Sequence, residues 1–244
     1  VGGTEGSGYY SAALTISAPL SILVGAANSV LFPSMAEALG RGAEDAFRRQ
    51  LHQSTEAIVV IMSGAIGLLM VLSSPVLALV WGDRFRAAEP LLPIMLGAIL
   101  AYVTAVPSVS ALVTRGAAQA RITTAFGIAG AMAGGVIWRL SAASFGVIGV
   151  GWGDLVSTVV SSGLTVLVAW RRGAQRWWGP MVRLLVIAAA AAVGWLLPRA
   201  GSVSVGVSAL GFLALWAALF AGRLRSVVTH LSSRGRPQSH DPLT

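Results

Sequence analysis

The sequence predicts an all-α fold, a polytopic transmembrane helix bundle of about seven spans, and three observations predict it. Long stretches carry no charge: Glu5 to Glu37, Glu56 to Asp83, Glu89 to Arg115, Arg121 to Arg139 and Arg199 to Arg223 are each free of charged residues between their ends. A bilayer core about 30 Å thick takes roughly 20 apolar residues of helix to cross, and a soluble chain of this size lacks the interior to bury so many such runs. The composition agrees, with 55% hydrophobic and 11% charged residues, against roughly 25% charged in soluble domains. The mean hydropathy is +0.77. The apolar runs are continuous, which excludes the short alternating strands of a transmembrane β-barrel. The 29 glycines suit close helix packing in lipid.

Spans are predicted at 9–35, 55–80, 91–114, 119–139, 146–170, 179–198 and 203–222, together a helical bundle over 1–222. Segment 37–53 has mixed charge and an apolar residue every three or four positions, the pattern of a short amphipathic helix lying on a membrane face. Residues 223–244 turn polar, with Pro237 and Pro242, and are expected to form a disordered tail. The chain opens Val1-Gly2-Gly3-Thr4, with no initiator Met and no charged leader before an apolar core. The later part of a longer membrane protein is the expectation.

Arginine sets the orientation, because the chain has no lysine. One set of connections holds Arg41, Arg48, Arg49, Arg115, Arg121, Arg171, Arg172, Arg176 and Arg183, joined by Arg223, Arg225, Arg234 and Arg236 in the tail. The other set holds Arg84, Arg86, Arg139 and Arg199. Thirteen against four places the first set in the cytoplasm, with the N-terminus outside and the C-terminus inside. Trp81, Trp138 and Trp195 then fall at outer helix ends, and Trp170, Trp177 and Trp178 at inner ones, as an interfacial belt requires.

Composition also narrows the chemistry. With no cysteine there is no disulfide or thiolate metal site. With no lysine there is no phosphate-binding loop of the usual motor type. His52, His230 and His240 have no partner at metal-ligand spacing, so a solvated surface role is expected and no cofactor or metal is implied. The net charge of +8 would suit nucleic acid. The basic residues, however, are dispersed between apolar helices, and a membrane lipid surface accounts for them better. No enzyme signature is present.

Polar residues inside spans are costly unless they pair or line a cavity, which makes them the candidate functional residues. Asp154 falls about two turns into the fifth span. It is either a proton, cation or cavity-lining group, or the partner of Arg139 in an outer-leaflet ion pair across the short connection 140–145. Asn28 sits mid-span in the first helix, where it bonds a neighbouring helix or faces a polar lumen. Arg84 and Arg86 follow the second span, where they are solvated or hold an anionic headgroup or pyrophosphate. Pro33, Pro75 and Pro107 lie within or near helix ends, and each removes a backbone hydrogen bond and bends its helix. The Gly130-x-x-x-Gly134 and Gly149-x-x-x-Gly153 pairs read as close helix contacts.

Several of these residues together resemble a family. Gly8-Tyr9-Tyr10-Ser11-Ala12-Ala13, followed by Val30-Leu31-Phe32-Pro33-Ser34-Met35, resembles the G-x-Y-x-x-A … Φ-x-P pattern of polysaccharide-type flippases in the multidrug/oligosaccharidyl-lipid/polysaccharide (MOP) exporter superfamily. Ser73-Ser74-Pro75, Leu79-Val80-Trp81-Gly82-Asp83-Arg84-Phe85, Ala88 and Leu91-Leu92-Pro93-Ile94 are similar to the stretch after the family's next helix. Gly146-Val147-Ile148-Gly149-Val150-Gly151-Trp152 is similar to the G-x-x-G-x-[AG] start of a later one. The resemblance spans roughly 8–170; the last two helices match by hydropathy alone.

The resemblance implies a bacterial inner-membrane flippase that moves undecaprenyl-pyrophosphate-linked oligosaccharide for cell-surface polysaccharide. It implies two helical lobes rocking around a hydrophilic cavity, of which this chain is the C-terminal lobe plus extra terminal helices. The N-terminal lobe is then the missing partner. Two other classes remain open: a membrane scaffold or remnant half-transporter that moves nothing, and a cation or drug antiporter of the same superfamily. The antiporters usually place carboxylates inside the bundle, and Asp154 is the residue here that could act so.

Overall fold

The computed structural model describes residues 3–172 and 178–234. Among them the order is α1 (Gly3–Gly40), α2 (Glu44–Val71), α3 (Ser73–Trp81), a 3₁₀ turn (Asp83–Ala88), α4 (Leu91–Thr114), α5 (Ala117–Phe145), α6 (Val147–Arg171), α7 (Trp178–Leu196) and α8 (Val205–Arg234). Seven of these helices are long and apolar enough to cross a membrane, which makes this an all-α, multi-pass membrane bundle. Where the chain crosses hydrocarbon, helix is the form that satisfies every backbone group within its own segment.

Two expectations about the elements change. The span expected at 55–80 breaks at Leu72 into α2 and α3. The cause is Pro75, whose ring would strike the carbonyl of Val71 and which has no N–H to give it. Pro33 and Pro107, by contrast, are carried inside α1 and α4. The segment 37–53 does not form a separate surface helix either. Its residues from Glu44 onward are the first turns of α2, continuous with the span, and Phe47 and Leu51 pack with Met35 and Ala111 in a small buried cluster. The periodicity was that of a helix with one covered face, and the cover is protein. The tail expected at 223–244 falls on α8 as far as Arg234 and beyond it outside the described residues, as does Trp177.

Glycines turn the chain between crossings. Gly116 (φ +118°) and Gly146 (φ +57°) hold left-handed backbone after α4 and α5, where a Cβ would be strained. The shortness of these turns makes sequential helices antiparallel neighbours. One end of the bundle collects Arg41, Arg48, Arg49, Arg115, Arg121, Arg171 and Arg172; the other holds Arg84, Arg86, Arg139 and Arg199. These are called the arginine-rich and arginine-poor ends below.

α4 is the central helix. Leu91, Leu92, Met95, Leu96 and Val103 from it are buried with Ala13 and Val24 of α1 and Ile58, Met62 and Ile66 of α2. On its other side Gly151 of α6 receives Leu91, and Gly97 lies against Leu155. α5 packs along α6 through the two expected glycine pairs: a Cβ on Gly134 would come within 2.5 Å of the Gly153 carbonyl, and one on Gly149 within 2.6 Å of Ser141. Such contacts leave room for hydrogen only, which is how small residues drive association where lipid tails are as apolar as leucine. α7 and α8 pack on α2 through a second cluster that includes Val59, Val60, Ile187, Phe212 and Phe220.

Candidate functional site

Two places bring the candidate residues together. The first is the surface between α1 and α6, on either side of α4. These helices run in the same direction and approach at the arginine-poor end, where Gly6 lies 3.9 Å from the Val147 side chain when a Cβ is placed on it. Two turns further along α6, Asp154 lies within electrostatic reach of the Tyr10 phenol of α1. Asp154 is exposed, and so is Tyr102 of α4. Below Asp154, Thr158, Ser161 and Thr165 follow along α6, each hydroxyl donating to a carbonyl three or four residues back, with Ser161 against Gly130 of α5 and Thr165 buried.

Arg139 does not join Asp154. It is exposed near the end of α5, and among the described residues neither side chain forms an ion pair. The turn between α5 and α6 is short enough, but the glycine-tight packing of the two helices sets their rotation, and the pair is left apart. Asn28 settles differently. Its Oδ1 accepts a hydrogen bond of 2.5 Å from the Ser110 hydroxyl of α4, so the side chain fastens α1 to the central helix.

One side of α1 carries Thr4, Ser7, Ser11 and Thr15 over its first turns, all exposed, and Ser29 beyond the exposed Ile22. Ser7, Thr15 and Ser29 donate to carbonyls of their own helix at 2.8 Å, so those three hydroxyls are not stranded. Only 12% of the most apolar window of α1 is covered by protein, against 61% for α4. α5 is as bare, and its exposed Ile128, Met132, Val136 and Leu140 form a stripe suited to lipid; α1 exposes Leu14, Ile22, Leu23 and Phe32 as well as its hydroxyls.

The second place is the arginine-poor end. The 3₁₀ turn holds Arg84 beside the first turns of α1, where Thr4, Glu5, Gly8, Tyr9, Arg84 and Phe85 line a cleft of about 320 Å³. Tyr9 meets Phe85 edge to face at 5.7 Å, and Trp81 lies against Phe85 at 5.5 Å. Arg86 points elsewhere and bonds Asp83 at 3.1 Å. The two arginines therefore differ in role: one is tied to a neighbouring carboxylate and one lines a cleft. Nearby, Arg199 pairs with Glu89 and stacks 3.9 Å over the Trp195 ring. Burial lowers the pKa of Arg199, and the Glu89 carboxylate opposes that.

The chain matches no protein-family model, no curated protein and no solved structure. Its own residues must carry the functional reading. Among the described residues no three His, Asp or Glu side chains gather to hold a metal ion, and His52 sits 3.4 Å from Glu56 on α2. Nothing in the local sequence marks Glu5, Tyr102 or Ser110. Tyr9 and Tyr10 stand inside the G-x-Y-x-x-A stretch, but nothing in their spacing tells which helix each faces. The exposed Thr and Ser positions of α1, at intervals of three and four, were the one signal that could have found its polar side.

Proposed function

We propose that this bundle is the C-terminal lobe of a flippase carrying a lipid-linked oligosaccharide across a bacterial inner membrane, with the N-terminus of α1 outside and the C-terminus of α8 in the cytoplasm. The observation that carries the reading is the hydroxyl-bearing side of α1, uncovered although it lies in a membrane-crossing helix. Hydrocarbon offers such a surface no partner beyond the carbonyls of its own helix. A hydrophilic cavity gives it a purpose, because a sugar–pyrophosphate headgroup crosses the bilayer only if something replaces its hydration shell. The complementary wall of that cavity would come from a second lobe, and two lobes rocking as rigid bodies need no covalent chemistry. The sequence motifs at 8–35, 73–94 and 146–152 support the same class, and the uneven arginine distribution supports the orientation.

A cation or drug antiporter is the second reading, favoured by one feature: an exposed Asp154 within the crossing region. Depleting the protein from the cells that make it separates the two. Under the flippase reading, undecaprenyl-pyrophosphate-linked oligosaccharide builds up on the inner leaflet and surface polysaccharide falls. Unchanged lipid-linked pools together with altered cation or drug resistance would reject it in favour of the antiporter.

A further inference from the structure

The charged groups at the arginine-poor end fall into two kinds. Arg86 is tied to Asp83, and Arg199 to Glu89. Arg84 and Glu5 are tied to nothing among the described residues, yet they line one cleft, a cation on the 3₁₀ turn and an anion on the first turn of α1. The two are held on different elements, with a cleft of about 320 Å³ between the lining residues. That volume lies at the small end of the range for small-molecule sites. The remaining lining is Thr4, Gly8 and the rings of Tyr9 and Phe85.

The cleft's level in the membrane follows from the chain. The charge-free run of the second span ends at Gly82, one residue before Asp83, and the exposed Leu79, Val80 and Trp81 immediately precede it. Tryptophan and tyrosine favour the headgroup layer. A site at that depth, with a guanidinium, a carboxylate and aromatic rings, is built for a ligand bearing a phosphate beside an ammonium. Guanidinium grips phosphate through two parallel hydrogen bonds, a carboxylate and an aromatic face both attract ammonium, and the exposed apolar residues alongside suit acyl chains.

We infer that this cleft binds a bilayer phospholipid with a zwitterionic amino headgroup, its phosphate on Arg84 and its ammonium between Glu5 and Tyr9. The site goes beyond the proposed transport role and holds whichever cargo the lobe carries. A lipid without the ammonium would set its phosphate near Glu5 with no compensating charge, so the cleft should discriminate against it.

The test uses the full chain, delipidated in detergent and titrated separately with phosphatidylethanolamine and phosphatidylglycerol, with retained lipid counted by native mass spectrometry. Wild type should retain one phosphatidylethanolamine with a preference of about tenfold. Arg84→Gln should lose that retention by a similar factor, Glu5→Gln should erase the preference by raising phosphatidylglycerol, and Arg86→Gln should change neither. Thermal unfolding of each variant checks that it is folded, and Glu5→Gln still tests the site should Arg84→Gln fold poorly. Equal retention of the two lipids by wild type, or wild-type retention by Arg84→Gln, would overturn the site. Displacement of the lipid by soluble phosphoethanolamine at equal concentration would overturn a membrane source for the ligand.

Discussion

The indole N–H of Trp216 donates to the carbonyl of Val60 at 3.1 Å, fastening the last helix to the second. Gly64 makes the approach possible, since a Cβ there would stand 2.7 Å from the indole ring. The bond ties α8, which sequence resemblance leaves unmatched, to an element at the heart of the bundle. Trp216→Phe drops the donor and leaves a smaller aromatic ring, and should cost about 1 kcal/mol. Gly64→Leu displaces the ring itself and should cost more, about 1–3 kcal/mol. Thermal unfolding in detergent measures both, and a smaller loss for Gly64→Leu would mean that α8 does not dock as described.

The α5–α6 seam offers a test with its own control. Gly134 meets the Gly153 carbonyl, whereas the adjacent Gly135 has nothing within 4 Å of a placed Cβ. Gly134→Val should therefore destabilise by about 1–3 kcal/mol, and Gly135→Val should be neutral or slightly stabilising. Equal effects in the same unfolding assay would show that the seam is not packed through glycine.

Orientation is open to single-cysteine labelling, and the chain has no cysteine of its own to give background. Ser141 is a poor choice, because its hydroxyl bonds the carbonyls of Ile137 and Gly149. Ser144 and Ser202 are exposed at the arginine-poor end and Ala118 at the arginine-rich end. In intact cells an impermeant thiol reagent should mark Ser144→Cys and Ser202→Cys and leave Ala118→Cys unmarked. The reverse pattern would invert the proposed topology.

Asp154 and Arg139, lying apart, should respond independently. Arg139→Gln removes an exposed, unpaired charge and should change stability by no more than about 0.5 kcal/mol. Asp154→Asn should leave protein levels normal while lowering polysaccharide export, since the carboxylate is exposed within a crossing helix. Export at wild-type levels from the Asn variant would remove Asp154 from the functional residues. Rescue of an Asp154→Arg defect by Arg139→Asp would show that the two pair after all.

Asn28 predicts a structural penalty of its own. Asn28→Leu leaves the Ser110 hydroxyl with its alternative bond to Val106, 3.0 Å away. The expected loss is therefore modest, about 0.6–1.7 kcal/mol. Ser110→Ala should cost the same and the double variant no more than either single one; full additivity in thermal unfolding would deny the shared bond.

The sequence by itself determined the number of crossings, their order and some of their limits, such as 91–114 for α4, while α1, α2, α5 and α8 depart from the expected spans by several residues or more at one end or both. The reason is that an unpaired backbone group in hydrocarbon costs several kcal/mol, so a charge-free run of span length has one available form. It also pointed to Gly130, Gly134, Gly149 and Gly153 as contact positions, since spacing on a helix is local geometry. Tertiary structure decided the lateral arrangement. Hydropathy is indifferent to whether lipid or leucine covers a helix face, so nothing local says that α4 is central, that α1 is left bare, or that residues 44–53 join α2. It likewise decided that Asn28 meets Ser110, that Asp154 turns from Arg139, and that Glu5 and Arg84, far apart in the chain, face one cleft. Each of those outcomes depends on the rotation of one helix about its axis, which is set by the small residues of its neighbours.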